Sequence, residues 1–283
     1  MKKVCFLSTD NLEGYEIDDD LAIGPLHDRG WHVETVPWKE KIDWAEFDAV
    51  VIRTPWDYHH TPGQFIATLE TIAGSGVTLE NSIELVKWNI EKTYLRSLEA
   101  RGVRTVPTIY PQSVVEPKAI RQWKDRLQTE ELVLKPTISA TAGNTFLVSE
   151  FTDELKVLNG SRFMVQPFME SIGTEGEFSL FFFDGEFSHA ILKTPKKGDF
   201  RVQEDFGGQN KSIEPDDEML GFGCGVLKEL PETPLYARVD FVHDNKNKPV
   251  LMELELIEPA LYFRYDEEAA ESFARKFCER NEL

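Results

Sequence analysis

Tyr236-Ala237-Arg238-Val239-Asp240-Phe241-Val242, followed by the polar turn His243 to Lys248 and then Pro249-Val250-Leu251-Met252-Glu253-Leu254-Glu255-Leu256, reads as two adjacent strands near the C-terminal end of the chain. Side chains alternate across a strand, so Arg238 and Asp240 share one face of the first, and Glu253 and Glu255 share one face of the second. Three carboxylates on facing strands repel one another unless something cationic lies between them. Oxygen-liganded Mg²⁺ or Mn²⁺ bridging phosphates is the natural candidate. A solvated acidic face accounts equally well for Glu253 and Glu255 alone, but not for these together with Arg238-x-Asp240 and the lysines below.

Two lysines lie upstream in unusual settings. Lys92 follows Trp88-Asn89 on a helical stretch, and Lys135 ends the apolar run Leu132-Val133-Leu134. A lysine at a buried strand end costs desolvation unless it meets an anion. Directly after it, Thr137-Ile138-Ser139-Ala140-Thr141-Ala142-Gly143 is a small, hydroxyl-rich loop that could bring backbone N–H groups to a phosphate chain; a plain hairpin explains that loop equally well. Further out, Val4–Leu7, the helical stretch Leu21–Arg29, and strands His32–Val36 and Ala49–Ile52 alternate as in a parallel α/β sheet. A helix over Gln64–Ala73 and a strand Val77–Leu79 complete that module near Asn81-Ser82. One helix is expected over Ile83–Ala100, and short strands at Thr108–Tyr110, Leu132–Leu134 and Phe163–Val165. Phe178–Phe183 and Phe187–Leu192 flank Asp184-Gly185, a strong hairpin signal. A last helix runs from Asp266 to about Arg280. The expected class is therefore α/β and α+β, in units 1–84, 85–168 and 169–283.

The charge narrows the function. Against 31 Lys plus Arg stand 50 Asp plus Glu, a net charge of −19 over 283 residues, which argues against a nucleic-acid partner. No apolar run approaches the ~20 residues of a membrane span. The start Met1–Leu7 is basic then apolar but breaks off at Ser8-Thr9-Asp10, too soon for a secretory signal. Cys5, Cys224 and Cys278 are far apart and form no CxxC pair, which points to a reducing cytoplasm. There is no GxxxxGK[ST]. Gly221-Phe222-Gly223-Cys224-Gly225 misses the dinucleotide spacing by one residue and reads as close helix packing. Ser75 lacks the GxSxG context, and His59-His60 has no HExxH around it.

Taken in order, Lys92, Lys135 with its small-residue loop, Val165-Gln166-Pro167-Phe168-Met169, Glu177, Arg238-x-Asp240 and Glu253-x-Glu255 resemble the ATP-grasp ligases, within them the glutathione synthetase-like group. Gly198-Asp199-Phe200-Arg201 followed by Gly207-Gly208 matches that group's substrate and phosphate loop. Arg53-Thr54-Pro55-Trp56-Asp57-Tyr58, with the two C-terminal strands, is most similar to cyclo-ligases of the O-ureido-serine type. The resemblance spans nearly the whole chain and implies an ATP-grasp fold: an N-terminal parallel-sheet domain and two α+β subdomains clasping ATP. It implies that Lys92 and Lys135 hold phosphates, aided by Ser139, Ala140 and Thr141, and that the backbone from Gln166 through Pro167 and Phe168 to Met169 reads the adenine. Glu177 would take the ribose hydroxyls. Asp240, Glu253 and Glu255 would bind Mg²⁺ or Mn²⁺, although many members carry Asn where Glu255 stands. Arg238 would face the transferring phosphoryl group.

On the substrate side the expectations are Arg53 and Arg201 for a carboxylate, with Lys193 at the same end or at the γ-phosphate. Trp56, Asp57 and Tyr58 would shape the pocket, Asp57 as partner of a substrate amine. The implied activity joins a small-molecule carboxylate to an amine through an acyl phosphate. Alternatives on the same fold are intramolecular cyclisation, a small-molecule kinase, or a non-catalytic ATP-binding protein. Relatives of this kind suggest a homodimer or homotetramer.

Overall fold

The computed structural model describes residues 1–112, 114–140 and 143–282. Its first unit is a wholly parallel sheet in the order β2-β1-β3-β4. It is built from β1 (Lys2–Ser8), α1 (Ile23–Asp28), β2 (Trp31–Pro37), β3 (Ala49–Thr54), α2 (Pro62–Gly74) and β4 (Thr78–Glu80). The period-two alternation of β1 decides what packs where. Val4 and Phe6 face one core with Phe273 and Phe277, while Cys5 and Leu7 face another with Phe65, Leu69 and Ile72 of α2. Both faces are covered, as a parallel sheet requires.

Two short helices follow, α3 (Ile83–Asn89) and α4 (Tyr94–Ala100), where the sequence suggests one. The break is tertiary in origin. The Lys92 N–H donates to Thr137 O at 2.8 Å instead of continuing the helix, and the Asn89 amide bonds Leu254 O and Leu256 N. Beyond α5 (Pro117–Leu127), which the sequence reading did not single out, comes a small antiparallel sheet, β6-β5-β7, of β5 (Leu132–Pro136), β6 (Phe146–Val148) and β7 (Phe163–Pro167). The strand expected at Thr108–Tyr110 contributes only the single bridge Ile109–Val165.

After α6 (Ser171–Thr174) the chain forms β8 (Glu177–Phe183), β9 (Glu186–Thr194), β10 (Gln209–Ser212), α7 (Asp217–Lys228), β11 (Tyr236–His243), β12 (Pro249–Glu255) and α8 (Ala269–Asn281). The five strands pair antiparallel in the order β10-β9-β8-β11-β12. The β8–β9 turn is Asp184-Gly185 with φ of 49° and 77°, the two positive values that a tight two-residue hairpin needs. Leu180 and Phe182 of β8, Val239 and Phe241 of β11, and Leu254 of β12 pack against α4 and α7. At Gly223 of α7 close packing requires glycine, since a Cβ there would lie 2.8 Å from the Phe182 ring, whereas Gly221 and Gly225 have open space. The opposite face of this sheet carries Ser179, Arg238, Asp240, Glu253 and Glu255. No helix among the described residues is long and apolar enough to cross a membrane.

One buried group couples this core to pH. His189 stacks on Phe181 at 4.2 Å, and its Nε2 lies 2.9 Å from Leu261 O, which can only accept, so Nε2 carries the proton of a neutral ring. Burial lowers its pKa from 6.5 to about 4, with the hydrogen bond to Leu261 opposing the shift. The neutral ring's contribution is therefore complete above 6.5 and lost as pH falls towards 4. At pH 5 the loss comes to about 2 kcal/mol relative to pH 7. Urea midpoints should drop further between pH 7 and pH 5 in the parent protein than in His189→Gln, and parallel drops would refute the coupling.

Candidate active site

Between the polar face of the large sheet and the Val133, Lys135 and Gln166 face of the small one lies a pocket whose lining also takes in Tyr15, Trp56, Tyr58 and Tyr262. Strand register builds its charged floor. Arg238 faces Glu255 and Asp240 faces Glu253 across β11–β12, while Glu177 faces Lys193 across β8–β9. Arg238 forks onto Asp240 through Nε at 3.0 Å and Nη2 at 2.9 Å, and also pairs with Glu255. Lys193 lies 3.1 Å from Glu177 and 3.4 Å from Asp240, which also accepts from the Ser179 hydroxyl. Glu253 receives Lys92 at 3.1 Å and Lys135 at 3.8 Å, and Lys92 donates to Ser139 O at 2.9 Å. The cations that relieve acid–acid repulsion across these strands are thus the protein's own.

The electrostatics follow from this wiring. Burial pushes the Asp240 carboxyl up, but Arg238 and Lys193 outweigh it and hold the group at about 2. Burial likewise works against Glu253, and Lys92 and Lys135 hold it below the usual range. Glu255 goes the other way, to about 7, because burial dominates and Asp240 and Glu253 add to it against Arg238. Burial lowers Lys135, with Glu253 opposing. Among the described residues no three carboxylates converge closely enough to hold an ion by themselves. The oxygen donors Asp240, Glu253 and Glu255 suit a hard cation chemically, but phosphate oxygens would have to complete its shell.

Most of the expected positions line this one pocket: Lys92, Lys135, Ser139 and Ala140; Gln166, Pro167, Phe168 and Met169; Glu177, Lys193 and Arg201; Arg238, Asp240, Glu253 and Glu255; Trp56 and Tyr58. Thr141 lies outside the described residues. One role needs correction, and two of these side chains already have partners. The Phe168 N–H is given to Glu131 O at 2.9 Å, so it is not open to an adenine edge. Glu177 pairs with Lys193 through one carboxylate oxygen at 3.1 Å. Arg201 reaches the wall but is matched by its neighbour Asp199 at 2.8 Å and lies 3.7 Å over the Phe206 ring.

Four expected substrate residues do not line the pocket at all. Arg53 is 1 % exposed, ion-paired with Asp19 at 2.7 Å and 5.2 Å from the Tyr236 ring, with Nε and Nη1 unbonded. The loop before α1 brings Asp19 over the end of β3 and seals it. Asp57 accepts from Trp38 Nε1 at 2.6 Å and pairs with Lys39, so it serves the first unit's own packing. Gly207, at φ of 83°, and Gly208 close a loop; a Cβ on Gly208 would fall 2.0 Å from Val202 O. They shape the stretch that presents Phe200 and Arg201 without joining the wall themselves.

What the sequence reading missed is the segment after β12. Residues 256–261 leave the sheet while still largely buried, so their carbonyls have no strand partner and must find other donors. Six side chains supply them in order. Asn81 donates to Leu256 O, Tyr236 to Ile257 O, Trp56 to Glu258 O, Arg53 to Pro259 O, Arg238 to Ala260 O and His189 to Leu261 O, over 2.8 to 3.2 Å. The front motif Arg53 to Tyr58 therefore grips Glu258-Pro259. Glu258 lines the pocket, and its carboxyl is pushed to about 8 by burial first and by Glu255 next. The available signal was an acid three residues beyond Glu255 in an apolar run, followed by Pro.

A cleft between two sheets with converging lysines over an acidic antiparallel sheet, behind a parallel-sheet domain, is the arrangement of an ATP-grasp ligase. The comparisons agree. Residues 4–81 match the family described as D-cycloserine synthetase DcsG, N-terminal domain. The cycloserine biosynthesis protein DcsG of Streptomyces lavendulae is 31% identical over 278 residues, 89% of each chain. The crystal structure of D-cycloserine synthetase DcsG superposes with a TM-score of 0.85 at 27% identity, over 99% of both chains. The D-alanine–D-alanine ligase of Bacillus anthracis shares the fold alone, with a TM-score of 0.71 at 15% identity over 99% of this chain and 97% of that one.

The chain belongs to the cycloserine-synthetase-like family of ATP-grasp ligases. It is an ATP-dependent, ADP-forming carbon–nitrogen ligase for amino-acid-like substrates.

Proposed function

We propose that the enzyme closes a ring within one amino-acid-like molecule, as the name of its relative implies for D-cycloserine. The observation that carries this reading is the similarity to the cycloserine biosynthesis protein over 89% of both chains, a span that takes in the substrate-side module as well as the nucleotide pocket. D-cycloserine is a five-membered ring in which the carboxyl carbon of a serine skeleton is bonded to a nitrogen carried on the side-chain oxygen. Closing it is a carboxylate–amine ligation with both partners in one molecule. A carboxylate oxygen attacks the γ-phosphorus and ADP leaves. The nitrogen then attacks the carbonyl carbon, phosphate leaves and the nitrogen gives up a proton.

The chain's part is to neutralise and orient, which needs no protein nucleophile. Lys92 and Lys135 hold the phosphates, with Arg238 and Lys193 beside the transferring group and Arg201 on the wall for the substrate carboxylate. Asp240, Glu253 and Glu255 would hold Mg²⁺, or Mn²⁺, against the phosphate oxygens, where the ion supplies charge neutralisation. Holding both reacting ends in one site accounts for rate without further chemistry, since well-oriented intramolecular reactions reach effective molarities of ~10⁵–10⁸ M. A homodimer or homotetramer and a cytoplasmic location belong to the same proposal; light scattering of the purified protein reads the first.

Serines bearing an aminooxy or a ureido group on the side-chain oxygen, each given alone with ATP and Mg²⁺, should release ADP in step with ring formation. ADP release that required a separately added amine would replace cyclisation by intermolecular ligation.

A further inference from the structure

Eight acids stand on the pocket wall, and all but two are matched by a cation. Glu16 and Glu204 pair with Arg264. Glu177, Asp240, Glu253 and Glu255 pair with Lys193, Arg238, Lys92 and Lys135 as described above. Among the described residues Asp205 and Glu258 make no ion pair, and Asp205 is exposed. Glu258 is different. Its backbone is pinned by the Trp56 indole, with Tyr236 and Arg53 holding the carbonyls on either side. Its carboxyl lies beside the Tyr58 phenol, itself 4% exposed. The nearest lysine in electrostatic reach, Lys92, is already bonded to Ser139 and Glu253.

A carboxyl group fixed on a buried wall without a cation is costly to ionise, and folding normally removes such a group or pairs it. Here six donors hold the segment that carries it in one position. The wall around it is aromatic: the Trp56 and Tyr15 rings meet at 4.8 Å, tilted by 55°, and Tyr58 and Tyr262 line the same pocket. Aromatic faces beside an acid favour a compact organic cation.

We infer that Glu258 receives the α-ammonium group of the amino-acid substrate, the group that is not consumed in ring closure, and so sets the enzyme's preference for amino acids over plain carboxylic acids. The inference rests on the cyclisation proposed above, and the two can fail separately. The probes are O-amino-serine and 3-aminooxypropanoic acid, which has the same carboxyl and aminooxy ends but no α-amino group. Calorimetric titration of the ADP- and Mg²⁺-loaded enzyme reads binding, and ADP release from ATP reads chemistry.

The parent protein should bind O-amino-serine more tightly than the des-amino probe. Glu258→Gln, which keeps shape and a hydrogen bond to Tyr58, should lose roughly 30-fold or more for O-amino-serine, with affinity for the des-amino probe within about 3-fold. Equal affinities in the parent protein overturn the inference. So does a loss in Glu258→Gln that is the same for both probes, as a displaced ion or a disturbed fold would give. Absence of ADP release with both probes, alongside an intact binding preference, would instead count against the cyclisation and leave Glu258's role supported.

Discussion

Arg238→Ala should lower kcat by roughly 10²–10³, the cost of losing one preorganised donor at a developing charge. The expectation follows from Arg238 standing on the floor of the nucleotide pocket beside Lys193. The structure adds a second consequence. Arg238 is the fork that holds Asp240 and Glu255 and also reaches Ala260 O. Removing it leaves Glu255 without its cation and Asp240 with Lys193 alone, and deleting one partner of a buried pair costs about 3–5 kcal/mol. The two effects separate in Arg238→Lys. A lysine keeps a charge between the acids but loses the planar fork, so stability should largely return while kcat stays depressed by at least about 10-fold. Steady-state ADP release at saturating ATP, alongside urea unfolding of each variant, makes the comparison. Near-parental kcat in a folded Arg238→Ala would take Arg238 out of the chemistry.

Asn81→Ala is expected to lose roughly 3–5 kcal/mol of stability, because it strands three buried backbone groups at about 1–3 kcal/mol each with partial relaxation. Asn81 is 1% exposed. Its amide donates to Tyr236 O at 3.0 Å and Leu256 O at 2.8 Å, and its carbonyl accepts from Leu235 N at 2.6 Å. One short side chain at the end of β4 thus ties the first sheet to the start of β11 and the end of β12. Asn81→Asp keeps the acceptor, loses both donors and adds a buried charge, so it should be at least as damaging. A loss below about 1 kcal/mol in Asn81→Ala, measured by urea unfolding, would mean that water replaces all three bonds. Because Leu256 opens the pinned segment that carries Glu258, a destabilised Asn81 variant should also lose kcat/KM out of proportion to its folded fraction.

The net charge of −19 argues against a polyanion partner, yet the pocket is lined with cations. Five of the chain's 31 basic residues, Lys92, Lys135, Lys193, Arg201 and Arg238, reach that pocket. Local convergence makes an anion site that the overall charge conceals.

Much of this was legible in the chain itself, because it depends on short-range rules. Period-two alternation set which face of β11 and β12 carries Arg238, Asp240, Glu253 and Glu255, and turn chemistry placed the Asp184-Gly185 hairpin. The order of lysines, small loop and acids carried the family resemblance that pointed to a nucleotide pocket. What the sequence could not determine was pairing between segments far apart along it. Arg53 stands in a motif that looks substrate-facing, but Asp19, from a loop 34 residues away, seals it into the core. Asp57 is taken by Trp38 and Lys39, and Glu177 pairs with Lys193. One helix became two because Thr137 captures the Lys92 N–H. Glu258 gained its position only when six donors from separate elements met six successive carbonyls. A buried backbone group must find a partner, and which partner is nearest is decided by the packing of the whole molecule.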